Sequence, residues 1–376
     1  MISQNMNALG IVFPNSYDST VPQLVAERLM ASIPFAGRYR MIDFTLSSMS
    51  NCGINNVSVV VRKNYYSLMD HLGAGREWDL TRRRGGLNIL PPFSEKNVKL
   101  YNGRVEALAS LLPFLTRQKE KYAILSDSNL AMNFDYNKLI AEHQRTGADV
   151  TLAYQVTEVP SGLKSDNYYT ITCDGEGRVT DLLMNEENIG QKNLCMNIYV
   201  IEREKLIQLV KDATVRGMVY FERDILAHNL TTMNIRGMQY NGYVARICDM
   251  KTYFDENLKL IEEENLDALF PRTSPVYTKI RDDNPTRYAH SSHVESSLIA
   301  DGCCIKGRVE NCVLFRGVTV KKGATVRNCV LMQDTVVEEN VNLECVVADK
   351  NVTFTANKQL FGTESFPIFV GKRHTV

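Results

Sequence analysis

The sequence predicts two folds in series: a Rossmann-like α/β domain followed by a left-handed parallel β-helix. Three observations carry this reading. Short apolar runs alternate with amphipathic helical stretches as far as about Leu230, a proline-punctuated stretch follows, and a repeat of about 17 residues fills most of the remainder. The corresponding ranges are 1–270 for the α/β domain, 271–290 for the linker and 291–376 for the β-helix.

The α/β pattern starts at Ala8. Asn56-Val57-Ser58-Val59-Val60-Val61 reads as a strand and Tyr65 to Leu72 as an amphipathic helix. Tyr122-Ala123-Ile124-Leu125 and Asp149-Val150-Thr151-Leu152-Ala153-Tyr154 are further strands, with a helix from Tyr136 to Thr146 between them, a βαβ unit of ordinary length. Near-continuous aliphatic strands of this kind suit a mostly parallel sheet covered on both faces. A Glu-rich helix is expected from Thr252 to Asn265, and Pro271, Pro275 and Pro285 then mark the linker.

Beyond it, Val294-Glu295-Ser296-Ser297-Leu298-Ile299 returns as Val309-Glu310-Asn311-Cys312-Val313-Leu314, as Val326-Arg327-Asn328-Cys329-Val330-Leu331 and as Leu343-Glu344-Cys345-Val346-Val347. Three faces of about six residues make one triangular coil, so aliphatics at Ile299 and Ile305, then Val320 and Val326, have the spacing that a β-helix needs. A β-sandwich of short strands does not predict that spacing. Cys312, Cys329 and Cys345 are expected to form one internal ladder of small side chains.

Composition excludes several functions. Forty-three Lys plus Arg against forty-three Asp plus Glu leave no net field to attract nucleic acid or an anionic membrane. The one basic run, Arg82 to Arg84, reads as a solvated or anion-binding loop. No stretch approaches the roughly 18 continuous apolar residues of a membrane span, and nine scattered Cys without a C-x-x-C pair read as reduced thiols, with no metal site. A cytoplasmic protein is expected.

Pro34-Phe35-Ala36-Gly37-Arg38-Tyr39-Arg40-Met41-Ile42-Asp43-Phe44-Thr45-Leu46-Ser47-Ser48, then Asn51-Cys52-Gly53-Ile54, resembles the P-F-G-G-K-Y-R-I-I-D-F-x-L-S-N…N-S-G-I signature of the bacterial ADP-glucose pyrophosphorylase (glucose-1-phosphate adenylyltransferase) family. Gly103-Arg104-Val105-Glu106-Ala107 resembles the family's G-T-A-D-A, and Tyr220-Phe221-Glu222-Arg223-Asp224-Ile225-Leu226 its D-F-G-K-D-I-I. The β-helix is also the family's architecture, so the resemblance covers nearly the whole chain. It implies a nucleotidyltransferase domain that joins ATP to glucose 1-phosphate in glycogen synthesis. No His stands between His293 and His374, which argues against the acyltransferases that resemble this β-helix and use a His between coils.

Departures from the family pattern fall on the chemistry. Where the family's first turn is L-A-G-G-x-G-x-R-L, this chain has Val12-Phe13-Pro14-Asn15-Ser16-Tyr17-Asp18-Ser19, with no Gly and no Arg. Pro14 lacks an N–H, and Tyr17 and Ser19 replace residues that approach phosphates closely. K-P-A-V becomes Met30-Ala31-Ser32-Ile33. Resemblance places Asn129 at one metal-binding Asp, with Asp127 two residues away, and Arg246 at the other. A guanidinium about 5 Å from a divalent ion repels it by roughly 7 kcal/mol at an effective dielectric of about 20. On the sugar-phosphate side, V-E-K-P becomes Leu183-Met184-Asn185-Glu186, without the Lys, and M-G-I-Y becomes Met196-Asn197-Ile198-Tyr199.

The resemblance therefore implies a catalytically silent regulatory subunit that assembles with a catalytic ADP-glucose pyrophosphorylase subunit in a heterotetramer. No cofactor is expected. Mg²⁺ is needed only under the alternative, an active sugar nucleotidyltransferase with a site rebuilt on Asp127, Asp249 or Asp18. Arg38 and Arg40 are either contacts for a phosphorylated small-molecule effector, as the family's motif implies, or surface ion-pairing residues. Lys372 and Arg373 are weaker anion-binding candidates, and Asp43 and Asp224 read as loop-fixing or capping residues.

Overall fold

The structure is a computed structural model, and it describes residues 7–82, 85–91, 101–160, 168–184 and 190–376. The strand Ala8–Phe13 lies inside the N-terminal sheet, paired in parallel with Asn56–Val60 and Tyr122–Asp127. Its side chains alternate between two cores. Ala8 and Val12 pack under the helices Met41–Asn51 and Tyr136–Thr146, whereas Leu9, Ile11 and Phe13 pack under Arg104–Ser110 and Arg203–Val215. Gly10 belongs to this packing, because a Cβ there would meet Met49 Sδ at 2.6 Å.

The nine-stranded sheet is mixed: seven strands share one direction, as the mostly parallel expectation has it, and Val179–Met184 and Gln191–Glu202 run against them. The long strand Gln191–Glu202 runs antiparallel to both Tyr122–Asp127 and Val150–Glu158, and Tyr169–Cys173 pairs antiparallel with Val179–Met184. A strand buried on both faces has the same apolar signature in either direction, so pattern alone does not report its sense. The helix expected from Thr252 to Asn265 is two helices, Met250–Lys259 and Glu263–Leu269. Leu260 and Leu269 both enter the core between the domains. Nine residues apart, they would face opposite sides of one straight helix, and the turn between the helices brings them to the same side.

The C-terminal part is a left-handed β-helix of three five-stranded parallel sheets, each coil contributing one strand to each sheet. Its first strand, Arg287–Tyr288, pairs with Cys304–Ile305 and so lies within the stretch read as linker. Ser296, Asn311, Asn328 and Cys345 occupy one corner of successive coils, with φ of 43°, 50°, 48° and 49°. Asn tolerates this left-handed conformation by local hydrogen bonding, which explains its recurrence.

That corner also corrects the expected ladder. Arg327 pairs with Glu344, so Cys345 stacks on Asn328, and Val346 takes the inward place after Cys312 and Cys329. Cys345 is buried against the interdomain core instead. Cys312 and Cys329 are both fully buried, and burial pushes the Cys329 thiol well above its usual pKa. Both are expected to resist a thiol-modifying reagent in the native protein and to react on unfolding, as mass spectrometry would show; native labelling of either would contradict the buried ladder.

The two domains share one core. Tyr17, Val21, Leu24 and Val25, from the segment after the first strand, pack with Phe315, Met332 and Val347 of the β-helix. Arg28 of the same segment makes two hydrogen bonds, of 2.7 and 2.8 Å, to the carboxylate of Asp349, and both residues are buried. No helix among the described residues is long and apolar enough to cross a membrane.

Candidate functional site

The parallel strands Ala8–Phe13 and Tyr122–Asp127 end side by side, which places the turn from Pro14 beside Asp127. In an α/β sheet this is where ligands bind, outside the carboxyl ends of the strands. A cleft of about 240 Å³ opens there, lined in part by Phe13, Ser16, Tyr17, Arg62, Tyr101, Arg104, Asp127, Asn197 and Glu222.

The turn is closed on itself by its own side chains. Pro14 is buried, and its carbonyl accepts from the N–H of Ala31. Asn15 Nδ2 donates to Asp18 Oδ2 at 2.7 Å, Asn15 Oδ1 accepts from the N–H of Arg62, and Asp18 Oδ1 accepts from the N–H of Met30. Tyr17 is buried in the interdomain core, and its hydroxyl accepts from Asn197 Nδ2 at 2.6 Å. Burial pushes its phenol well above the usual pKa, and the Asp127 carboxylate adds to the effect. Ser19 is exposed, and Asn185 lies outside the described residues.

Asp127 is fully engaged. Arg104 Nη2 donates to both of its oxygens at 2.8 and 2.9 Å, Ser16 Oγ to Oδ1 at 2.7 Å and Asn197 Nδ2 to Oδ2 at 3.0 Å. Arg104 also pairs with the buried Glu222, and Tyr199 Oη lies 3.1 Å from Glu222 Oε1. Burial alone would lower the pKa of Arg104, but Asp127 and Glu222 hold it well above its usual value. The guanidinium lies 4.8 Å from the Phe13 ring centre. Gly103 permits this arrangement: a Cβ there would meet the carbonyl oxygen of Val219 at 2.3 Å, so this approach sets Arg104 against the segment that carries Glu222. Asn197 holds φ of 55°, a conformation that glycine takes freely and asparagine tolerates.

Arg104, Glu222 and Asn197 thus complete the site around Asp127. The sequence carried a signal for the first two: opposite charges stand where the resembled motifs have Thr and Gly, and the fold pairs them.

The other two carboxylates of the rebuilt-site alternative are also committed. Asp249 caps the helix Met250–Lys259, accepting from the N–H of Thr252 at 2.7 Å, and Asp18 closes its own turn. Asp43 accepts from the N–H of Arg40 and lies 2.6 Å from His71 Nε2, while Asp224 accepts from the N–H groups of Val219 and Tyr220, so both fix local structure.

At the two positions where the resemblance expects metal-binding carboxylates, this chain has Asn129 and Arg246. Arg246 pairs with Leu130 across two short antiparallel strands, and the next residue, Ile247, donates its N–H to the carbonyl of Asn129 at 3.1 Å. Arg246 and Asn129 are buried, and both present hydrogen-bond donors, Nη2 and Nδ2, that have no partner among the described residues. A hard divalent cation requires oxygen ligands.

A second cleft, of about 200 Å³, lies between the domains. Arg38, Arg40, Lys279, Arg281, Arg316 and Lys350 contribute to its lining, together with Asp70. Arg40 Nη1 donates to the carbonyl and hydroxyl of Ser67 at 2.7 and 3.0 Å, and burial pushes its pKa down to about 10. Arg38 is more exposed, with Asp301 3.5 Å away. Burial, then the charges of Arg40 and Arg28, push the Lys350 amine down to about 7. Lys372 pairs with Glu27, and Arg82 with Asp79. Arg83 and Arg84 lie outside the described residues.

The family model described as nucleotidyl transferase matches residues 24–218, and the model of the GlmU-like C-terminal hexapeptide matches 279–364. "Glycogen biosynthesis protein GlgD" of Bacillus subtilis (strain 168) is 32% identical over 98% of this chain and 96% of its own length. The protein of the same name from Geobacillus stearothermophilus is 32% identical over 86% of this chain and 83% of its own length. "Glucose-1-phosphate adenylyltransferase" of Clostridium perfringens (strain SM101 / Type A) is 30% identical over 82% of this chain and 79% of its own length.

Proposed function

This chain belongs to the nucleotidyltransferase family that includes GlgD and glucose-1-phosphate adenylyltransferase, and from that membership we propose that it acts in glycogen biosynthesis as a non-catalytic subunit, modulating a catalytic partner within a heterotetramer. One observation carries the reading: Asp127, at the strand end where chemistry would occur, is saturated by Arg104, Ser16 and Asn197. A carboxylate with its acceptor sites filled neither binds a metal nor takes up a proton without breaking those bonds.

The turn that would cradle phosphates has a different role here. Through Tyr17, Val21, Leu24 and Arg28 it braces the N-terminal domain against the β-helix, linking the closed site to the interdomain core. A subunit built this way passes information through contacts instead of turnover. The basic interdomain cleft is the place for a phosphorylated small-molecule effector, with Arg38 and Lys350 as the groups freest to meet it.

The test is to mix this chain with a catalytic homologue. Co-migration as a heterotetramer on a sizing column is expected, with a maximal rate or substrate affinity about 5- to 150-fold above that of the catalytic chain alone. Unchanged kinetics without co-migration would reject the reading. Arg38→Ala is expected to leave assembly intact and to shift the effector response of the mixture.

Lys350 makes effector binding pH-dependent. Its folded pKa lies below the unfolded value of about 10.4, so the burial penalty is complete below about pH 7 and fades as the pH rises towards the unfolded value. An anion prefers the protonated amine. Sulfate, which does not titrate in this range, is therefore expected to bind more tightly as pH falls from 8 to 6, with uptake of up to about one proton. Calorimetry in buffers of different ionisation enthalpy measures that uptake, and Lys350→Met should abolish it.

A further inference from the structure

Lys350 brings an amine to the interdomain cleft and leaves it without a partner. Its backbone is held on both sides: the N–H donates to Asp349 Oδ1 at 2.7 Å, and the carbonyl accepts from the N–H of Arg373 at 3.0 Å. The half-buried side chain lines the cleft with Arg40, and Nζ makes no hydrogen bond or ion pair among the described residues. Other cations of the cleft do have carboxylates, Asp70 for Lys279, Asp301 for Arg38 and Asp283 for Arg281. Four charged groups act on the Lys350 amine. Arg40, Arg28 and Lys372 oppose its protonation, and Asp349, which favours it, already accepts two hydrogen bonds from Arg28. The Arg40 guanidinium donates to the neutral oxygens of Ser67, so its charge is free to act across the cleft. Burial, then these cations, hold the amine down to about 7, and an unprotonated lysine amine is a nucleophile. Burial penalises either sign of charge on this side chain, so the neighbouring cations decide between them, against an ammonium and in favour of an anion.

We propose that Lys350 is a carbamylation site, at which dissolved carbon dioxide converts the amine into a carbamate anion held by the cations of the cleft, Arg40 foremost. The Nζ lone pair forms a bond to the carbon of carbon dioxide, one C=O electron pair moves onto oxygen, and the nitrogen releases one proton to solvent. No oxidant or reductant is needed. The cleft of about 200 Å³ has room for the three added atoms, since a water takes about 30 Å³ of the liquid. The modification does not depend on whether the chain tunes a partner. If the cleft takes an anionic effector, the carbamate occupies the effector's place, and carbon dioxide and effector compete.

The test uses the full wild-type chain at pH 7.5 in ¹³C-bicarbonate equilibrated with carbon dioxide. Carbamates are trapped with an ethylating oxonium reagent and mapped by peptide mass spectrometry, and ¹³C NMR follows the untrapped protein. Labelling of Lys350 is expected to exceed that of every other lysine by at least about tenfold, because an ordinary lysine, with a pKa of about 10.4, is almost entirely protonated at this pH. Lys350→Arg keeps a cation that carbon dioxide does not modify, and should remove the corresponding NMR signal. Arg40→Met should lower the occupancy about threefold or more, since it both restores protonation of the amine and removes a partner of the anion. The wild-type map needs no variant, so the site is decided even if Arg40→Met does not fold. A map in which Lys350 carries no more label than the other lysines overturns the proposal, and so does a signal that survives Lys350→Arg. Sulfate is expected to reduce the labelling by competing for the same cations; labelling that sulfate leaves unchanged counts against the effector reading of the cleft, and the Lys350 map still stands for the modification.

Discussion

The isolated chain, supplied with Mg²⁺, ATP and glucose 1-phosphate, is expected to form ADP-glucose at least about 10³-fold more slowly than the ~10 s⁻¹ of a typical enzyme. Removing one preorganised electrostatic contact costs about 10²–10³ in rate, and on the proposed reading both metal positions, the phosphate turn and the free carboxylate are lost together. Restoring the two carboxylates with Asn129→Asp and Arg246→Asp is expected to leave the rate near background. In that variant Arg104 still occupies Asp127, and Tyr17 still holds the turn inside the interdomain core. Metal-assisted phosphoryl transfer needs the ion and the positioned phosphates at once. A coupled pyrophosphate-release assay decides the point. Turnover within about tenfold of ~10 s⁻¹ by the isolated chain would refute the non-catalytic reading; the same rate from the double variant would show that the turn and Arg104 are no obstacle.

The extent to which these features were legible in the sequence follows their physical range. The β-helix could be read because each coil repeats the same local requirement: inward aliphatics every sixth residue and an Asn-tolerant corner. In its coil Cys345 stands one residue ahead of the place that Cys312 and Cys329 take in theirs, and because side chains on a strand alternate faces, the pairing of Arg327 with Glu344 turns it away from the ladder. The substitutions at Pro14, Tyr17, Asn129 and Arg246 were visible as changes of residue type. Their consequences were not, because these depend on contacts between distant segments. Ser16 reaches Asp127 across 111 positions, and Arg104 reaches Glu222 across 118. No local pattern reports such a pairing, although the insertion of one positive and one negative charge into two otherwise matching motifs is the trace that it leaves. Likewise the break between Lys259 and Glu263 carries neither Gly nor Pro, and its cause is burial of Leu260 and Leu269 on one side, a tertiary demand.

Arg28→Ala is expected to destabilise the protein by about 3–5 kcal/mol. The guanidinium pairs bidentately with Asp349, and the two residues are 3% and 4% exposed. Removing the cation takes away both guanidinium hydrogen bonds and leaves the buried carboxylate with only the Lys350 amine, itself pushed down to about 7, as a nearby cation, and water reaches it only if the domains separate locally. Because Arg28 belongs to the segment after the first strand and Asp349 to the β-helix, the loss should appear first as weakened docking. Limited proteolysis is expected to cut between 271 and 286, a stretch without helix or strand, before either domain is degraded. Arg28→Met with Asp349→Leu is the control: replacing both partners of a buried pair by apolar groups of similar volume is often neutral or stabilising, so denaturant unfolding of that variant should fall close to wild type. The single and double variants also separate packing from signalling. If the brace transmits effector binding to a partner, the apolar pair should keep assembly and stability while weakening the effector response of the mixture. An Arg28→Ala protein as stable as wild type would show that this contact does not hold the domains together.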